Sequence, residues 1–160
     1  MNALESSRGF SLIEVMVASA ILACAVLSVA QLVAAATGST AGARGVSEAT
    51  LLAWQKLDEL RSLAFVFDDA AGPVTDALLA PSPGDTLNRD TNGYVDYLDA
   101  FGESLGGGDR PPGGTRYRRR WAVEVWGGNP NLLILRVRVL DPARDATLAS
   151  ATTVRTRRVP

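Results

Sequence analysis

A run of 27 residues from Phe10 to Ala36 carries a single charged side chain, Glu14, and constrains the chain more than any other feature. As an α-helix it would extend about 40 Å, which exceeds the roughly 30 Å hydrocarbon core of a membrane. Only nine residues, MNALESSRG, precede it. A secretory signal has its small-residue cleavage site after the apolar region, whereas here the small residue, Gly9, comes first. Cleavage at Gly9 would therefore leave the apolar helix on the mature protein.

The segment RGFSLIEVMVA, residues 8–18, resembles the type IV prepilin signature. The resemblance implies that a membrane aspartyl peptidase, the prepilin peptidase, cuts after Gly9 and methylates the new N-terminal amine of Phe10. Residues 1–9 are then a leader peptide, and Glu14 becomes the fifth residue of the mature chain. The resemblance also implies a single-pass precursor in the inner membrane, which later enters a pilus at the cell surface or a periplasmic pseudopilus.

Glu14 is the one ionisable side chain of residues 10–36 other than the thiol of Cys24. An ionised group deep in a membrane helix costs roughly 2.5–3.5 kcal/mol on insertion scales, and such a cost indicates a partner. The resemblance implies that this partner is the N-terminal amine of a neighbouring subunit, in a charge pair that sets axial register. The alternative is a carboxylate that reaches the membrane surface, because Glu14 lies about one turn from the helix start.

Residues 37–65 are expected to continue this helix as an amphipathic second half. Their apolar side chains recur at steps of three and four, which predicts one face packed against the rest of the protein. These positions are Val46, Ala49, Ala53, Trp54, Leu57, Leu60 and Ala64. Gly38, Gly42 and Gly45 each disfavour helix by roughly 1 kcal/mol and predict a hinge, with a loop between two helices as the alternative.

The rest of the chain changes from irregular segments to strands. Proline and glycine clusters exclude long regular elements over residues 66–114. Alternating polarity predicts an antiparallel sheet of three or four strands within residues 115–160. Its strands are expected at 117–126, 132–140 and 147–158. With one face of this sheet on residues 46–64 of the helix, the fold class is α+β, with the layout of a type IV pilin.

The strand region is similar to that of the minor pilins described as type IV pilus modification proteins. Shared features are a Trp-x-Val strand, a Pro/Asn turn and a last strand rich in Thr and Arg. The resemblance implies a structural minor pilin that assembles with other pilin subunits into a type IV pilus, with a minor pseudopilin of a type II secretion system as the alternative. Histidine is absent and no nucleotide loop or nucleophile elbow occurs, so the sequence does not favour an enzyme.

Acidic and basic residues are segregated along the chain. Residues 58–109 contain 11 acidic residues against two arginines, whereas residues 110–160 contain 11 arginines against three acidic residues. The simplest explanation of this segregation is that the charged residues lie on a solvent-exposed face of the sheet. The segregation also suggests complementary surfaces on neighbouring subunits, or a basic surface for nucleic acid in a DNA-uptake pilin.

Four of the arginines are expected to form one basic patch. Side chains two residues apart on a strand share a face, so Arg118 lies beside Arg120 and Arg136 beside Arg138. Pairing of the two strands would gather all four on the sheet face away from the helix. The expected partner of this patch is the acidic 85–103 region of another subunit.

Residues 88–99, NRDTNGYVDYLD, have the spacing of a calcium loop. Oxygen-bearing side chains alternate around Gly93, which permits a sharp turn. The expected calcium ligands are Asn88, Asp90, Asn92, the Tyr94 carbonyl, Asp96 and Asp99. The alternative is an Asn-Gly turn beside solvated carboxylates. Calcium is the one cofactor that the sequence suggests, and none is required.

Overall fold

The computed structural model describes residues 11–68, 70 and 72–158. The chain divides into two compact units, Met1–Ala43 and Arg44–Pro160, called here the N-terminal and C-terminal units. The processing residues Gly9 and Phe10 lie outside the described residues.

One helix, α1, runs over Leu12–Ser62. Glu14 lies in its first turn and Arg61 in its last, where each charge is favourable to the helix dipole. Residues 38–45 are helical despite their three glycines. The alternative of a loop between two helices is therefore wrong, because the apolar and amphipathic segments on either side favour helix enough to outweigh about 1 kcal/mol per glycine.

The strands follow α1 in the C-terminal unit. They are β1 (Phe65–Asp68), β2 (Gly72–Thr75), β3 (Val95–Leu98), β4 (Ser104–Gly106), β5 (Tyr117–Val125), β6 (Leu132–Asp141) and β7 (Ala146–Thr156). Among the described residues, β1 and β2 form a two-stranded antiparallel sheet, and the others form a five-stranded antiparallel sheet in the order β4-β3-β5-β6-β7. The α+β layout predicted from the sequence is confirmed.

The larger sheet has more strands than the three or four predicted. The three predicted strands correspond to β5, β6 and β7, while β3 and β4 lie inside residues 66–114, where only irregular chain was expected. The short hairpin of β1 and β2 was also missed. These strands span three or four residues each, which is too short for a clear alternation of polarity.

Residues of α1 within the C-terminal unit pack on one face of the larger sheet, called here the inner face. Ala49, Ala53, Leu57 and Leu60 are buried there, as the spacing predicted. The partners of these helix residues come from every second position of β5 and β6: Tyr117, Trp121, Val123, Leu133, Leu135, Val137 and Val139. The opposite face of the sheet is called the outer face.

Three residues predicted on the buried helix face are exposed instead: Val46 and Trp54 of α1, and Ala64, which lies beyond the end of the helix at Ser62 rather than inside the predicted 37–65 segment. Val46 and Trp54 keep 47% and 48% of their surface accessible. Trp54 is one position past Ala53 and so turns about 100° away from the sheet. Lys56, which was not predicted on the buried face, is buried against the sheet. Its ammonium lies 4.1 Å from the Trp121 ring centroid and 2.8 Å from the Glu59 carboxylate. The alkyl stem of a lysine can therefore occupy a core position while its charge is paired.

Candidate assembly helix and the arginine network of the sheet

The N-terminal part of α1 exposes its apolar side chains on all sides. By length and composition α1 could cross a membrane, and none of its most apolar window is buried within the chain. Leu12, Ile13 and Leu32, for example, are each at least 70% accessible. Apolar surface of this extent requires lipid or other protein chains to cover it.

The hydroxyl groups in this part of α1 are satisfied within the helix. Ser19 donates to the Val15 carbonyl at 2.7 Å, and Ser28 donates to the Cys24 carbonyl at 2.8 Å. The Thr37 and Thr40 hydroxyls donate in the same way one turn back. Hydroxyls bonded inside the helix need no water, so this segment is suited to hydrocarbon.

Glu14 stands in the first turn of α1 with its side chain exposed. Its backbone N–H donates to the Ser11 carbonyl at 3.0 Å, which begins the helix. Within residues 11–68, 70 and 72–158, no group pairs with its carboxylate. The pairing of Glu14 with the terminal amine of a neighbouring subunit stays a prediction, and its carboxylate is exposed and available for that contact.

The four arginines of the predicted basic patch do lie on neighbouring strands, with Arg120 opposite Arg138 in the β5–β6 pairing. Three of them, however, are paired with carboxylates of the same chain, and the fourth, Arg138, donates to the neutral amide of Asn88. Asp90 lies between Arg118 and Arg120, at 3.6 Å and 2.8 Å respectively. The remaining acceptors of the patch are Asp145 for Arg118, Asn88 for Arg138 and Glu124 for Arg136.

The segment before β3 therefore covers part of the outer face. The sequence predicted that these arginines meet the acidic 85–103 region of another subunit. In the structure, Asp90 of the same chain pairs with Arg118 and Arg120, and the neutral Asn88 accepts from Arg138. Paired guanidinium groups give a weak external field. The structure consequently does not offer four free arginines to nucleic acid, and it gives no support to the DNA-binding alternative.

Arg119 points to the inner face, where an arginine is unusual. Its guanidinium binds both carboxylate oxygens of Asp96, at 3.0 and 2.7 Å, and donates to the Leu52 carbonyl of α1 at 3.0 Å. Arg119 is 5% exposed. One side chain thus links β5, β3 and α1. The signal for this in the sequence was the position of Arg119 between Tyr117 and Trp121 on the apolar side of a strand, where a charge needs an acidic partner.

Two tyrosines near this linkage have raised pKa values. Burial raises the pKa of Tyr117, and its hydrogen bond to the Glu48 carboxylate of α1 adds to the shift. Burial also raises the pKa of Tyr97, with a further contribution from nearby Asp90. Both hydroxyls therefore stay protonated to higher pH than a tyrosine in water.

Two further arginines hold the end of α1 and the hairpin that follows it. Arg155 of β7 donates to the Leu60 carbonyl at 2.8 Å and to the Leu63 carbonyl, where a cation also favours the helix dipole. Burial lowers the pKa of Arg155. Arg157 lies 4.1 Å from the Phe65 ring centroid and donates to the Val74 carbonyl at 2.7 Å. Sequence reasoning missed both roles.

The six expected calcium ligands do not converge on one point. Asp90 serves Arg118 and Arg120, Asp96 serves Arg119 from within β3, and the Tyr94 carbonyl accepts from the Trp121 amide at 3.1 Å. Asn88 accepts from Arg138, Asp99 accepts from the amides of Phe101 and Glu103, and Asn92 stands in the turn before β3.

These residues do not fit a calcium loop in this arrangement, because their oxygens are used in pairs and strand contacts. Within the residues that the structure describes, no three carboxylate, cysteine or histidine side chains are grouped to hold a metal. Calcium binding by residues 88–99 is therefore a prediction of the sequence alone, and the contacts described here give it no support.

The family model for the prokaryotic N-terminal methylation motif matches residues 6–30. No curated protein and no solved structure is significantly similar to the chain. The matched segment contains Gly9, Phe10 and Glu14 and ends inside α1.

The chain therefore carries the type IV prepilin signature at its N-terminus. Together with an exposed apolar helix and an α+β layout, this motif supports a type IV pilin-like protein that is anchored in a membrane. It implies processing by a prepilin peptidase and assembly with other pilin subunits. It also favours a structural protein over an enzyme.

Proposed function

We propose that this protein is a structural minor pilin that assembles through α1 into a type IV pilus. Before assembly the prepilin peptidase cuts between Gly9 and Phe10 and methylates the amine of Phe10. The mature subunit is held in the inner membrane by the apolar part of α1 and then transfers into the filament. The observation that carries the proposal is the methylation motif directly at the start of a helix whose apolar surface is uncovered.

The exposed Glu14 carboxylate supports the proposal. A carboxylate in an apolar helix is costly in hydrocarbon, and pairing with the methylated amine of a neighbouring subunit would offset this cost. The same pair would fix the axial offset between adjacent helices, because each mature chain carries one amine and one Glu14 four residues apart in sequence.

The test is to express the full chain with a C-terminal epitope in a host that has its own prepilin peptidase. Mass spectrometry of the subunit from sheared filaments should show a chain that begins at Phe10 with one added methyl group. The Gly9→Val variant should keep the leader and stay in the membrane fraction, whereas Ser6→Ala, a control within the leader, should be processed. Filaments that contain a chain with an intact Met1 start would overturn the proposal.

The location of the mature subunit separates the two filament types. A minor pilin is recovered in filaments sheared from the cell surface, and its loss reduces their number. A pseudopilin of type II secretion remains in the envelope, and its loss blocks protein secretion while the surface filaments persist. The second outcome would show that the protein is a pseudopilin of type II secretion rather than a minor pilin. The proposed cleavage and methylation at Phe10 would still hold.

A further inference from the structure

A cavity of about 370 Å³ lies on the outer face of the larger sheet, within the C-terminal unit. It is lined by residues 82–88 and, from the sheet, by Ala122, Glu124 and Arg136. We call this space the outer-face cavity. Its volume falls within the roughly 300–1,000 Å³ of pockets that hold small ligands.

The segment 82–88 is held to the sheet at both ends, which fixes the shape of the cavity. At its start, the Ser82 amide donates to the Val123 carbonyl at 2.8 Å, and the Val123 amide donates to the Ser82 hydroxyl at 3.2 Å. At its end, Asn88 accepts from Arg138 at 2.8 Å. The cavity is therefore largely formed before a ligand binds, which lowers the entropic cost of binding.

The sheet leaves room for the cavity because Ala122 carries only a methyl group. Ala122 is 4% exposed and stands opposite Arg136 in the β5–β6 pairing. Its neighbours on the same face of β5, Arg120 and Glu124, have long side chains. A larger side chain at position 122 would therefore fill part of the cavity.

Glu124 and Arg136 offer unused hydrogen-bonding capacity to the cavity. The Arg136 Nη1 lies 3.6 Å from the Glu124 Oε1, which is too long for a hydrogen bond, and both side chains are 43% exposed. The guanidinium can therefore donate to a bound molecule while the carboxylate accepts from it.

Thr86 adds a buried hydroxyl group to the lining. Thr86 is 1% exposed, and its Oγ1 has no hydrogen-bond partner within the described residues. Because buried polar groups are nearly always hydrogen-bonded, a molecule in the cavity is expected to supply this bond. The preceding residue, Asp85, has φ of 69°, a left-handed conformation that is strained in a residue other than glycine. Backbone strain of this kind is concentrated at functional sites.

The charges around the cavity favour a neutral ligand with several hydroxyl groups. An anion drawn to Arg136 would lie beside the carboxylates of Glu124 and Asp85, and a cation drawn to those carboxylates would lie beside Arg136. A hydroxyl group both donates and accepts, so neighbouring hydroxyls satisfy a carboxylate and a guanidinium together. Pro83 and Leu87 provide apolar contacts for the C–H groups of such a ligand.

We propose that the outer-face cavity binds a saccharide, with two neighbouring hydroxyls on Glu124 and Arg136 and a further hydroxyl on Thr86. A sugar ring combines a polar rim with an apolar face, which matches this lining. The inference goes beyond the proposed assembly function and does not depend on it, because every residue involved lies in the C-terminal unit.

The test titrates the isotope-labelled full chain with neutral hexoses and N-acetylhexosamines, in micelles of a zwitterionic detergent that carries no sugar. At least one sugar should shift the amide resonances of Thr86 and Ala122 until they saturate, with a Kd of about 1 mM or lower. Glycerol, which has hydroxyls but no ring, is the control and should give no saturating shift. The absence of saturation with every sugar, or equal saturation by glycerol or a neutral tripeptide, would overturn the proposal.

Matched variants test whether binding occurs in this cavity. Arg136→Ala removes the guanidinium and should weaken binding about tenfold or more. Ala122→Val fills part of the cavity and should have a similar effect. Arg144→Ala removes an exposed arginine that does not line the cavity and should bind like the unaltered chain. Unchanged affinity of a folded Arg136→Ala chain would overturn the proposal, and this result decides if Ala122→Val does not fold.

Immobilised glycans distinguish two sources of the sugar. If glycans that end in the same sugar retain the full chain but not Arg136→Ala, the ligand is a glycan on a surface. If the free sugar binds and no glycan retains the chain, the ligand is a free saccharide. Both results support a saccharide site, whereas equal retention of the unaltered chain and Arg136→Ala would overturn it.

Discussion

The Arg119 guanidinium binds both oxygens of the Asp96 carboxylate, with Nε 3.0 Å from one oxygen and Nη2 2.7 Å from the other. The pair is buried between β5, β3 and α1, with side-chain exposures of 6% and 13%. A third contact joins Arg119 to the Leu52 carbonyl at 3.0 Å. Bidentate geometry fixes the relative position of both strands and the helix.

Arg119→Ala should destabilise the protein strongly, because it leaves the Asp96 carboxylate nearly buried and unpaired. A loss of about 3–5 kcal/mol is typical of such a truncation. In a double-mutant cycle with Asp96→Ala, the coupling should be about 1–3 kcal/mol. Thermal and denaturant unfolding of the full chain in micelles measures both quantities.

Arg136→Ala is the matched control for this prediction. The pair of Arg136 with Glu124 is half exposed, so its loss should change the free energy of unfolding by about 0.5 kcal/mol or less. Similar losses for Arg119→Ala and Arg136→Ala would contradict a structural role of the buried pair.

Glu14→Ala should leave membrane insertion intact and reduce incorporation into filaments. The substitution removes an insertion penalty but also removes the carboxylate expected to pair with a neighbouring amine, an effect of about 2–5 kcal/mol for a desolvated charge pair. Glu14→Gln should be equally defective if charge is the determinant. Ser19→Ala, one turn further along, is the control and should incorporate normally. Recovery of Glu14→Gln in filaments at the normal level would show that pairing of charges is not required.

Alkaline pH should destabilise the folded protein through its two buried tyrosines. A tyrosine whose folded-state pKa is raised contributes stability that is fully present below its unfolded pKa of about 10 and is lost as pH rises through the folded value. Melting temperatures between pH 8 and 11 should fall less steeply for Tyr117→Phe than for the unaltered chain. Tyr117→Phe should also be less stable at pH 8 by about 1 kcal/mol, because the hydrogen bond to Glu48 is lost. Parallel pH curves for the two chains would contradict the raised pKa of Tyr117.

Calcium should leave the melting temperature of the full chain unchanged, because Asp90 and Asp96 are already paired with arginines. The measurement compares micellar protein in millimolar calcium with the same protein in chelator. A ligand that binds only the folded state at a hundredfold excess over Kd would stabilise it by about 2.7 kcal/mol. A higher melting temperature in calcium, absent in Asp99→Ala, would show that residues 88–99 rearrange into the loop predicted from the sequence.

Binding of DNA should be weak and insensitive to the arginines of the outer face. We expect dissociation constants of about 10⁻⁴–10⁻⁶ M at moderate salt, the range of non-specific binding. The double variant Arg118→Ala with Arg120→Ala should bind like the exposed control Arg144→Ala. Submicromolar binding that falls steeply with salt and is lost in the double variant would make this protein a DNA-binding pilin.

The sequence by itself determined the features that depend on local order. The apolar run that begins at Phe10, with Gly9 directly before it, indicated the prepilin signature, and polar–apolar alternation predicted β5, β6 and β7 with their buried sides. These predictions succeeded because neighbouring residues along the chain already show the side-chain repeat of a helix or a strand. Glu14 was identified in the same way, as a charge out of place in an apolar run.

The tertiary structure alone decided which charges meet. Arg120 and its partner Asp90 are 30 residues apart, and Arg155 reaches a carbonyl 95 residues away at the end of α1. Nothing local in the sequence distinguished an acidic segment on a neighbouring subunit from one folded over the same sheet. Three of the side chains expected to bind calcium, Asn88, Asp90 and Asp96, bind arginines for the same reason. Pairing between distant segments, set by the strand order β4-β3-β5-β6-β7, brings these groups together.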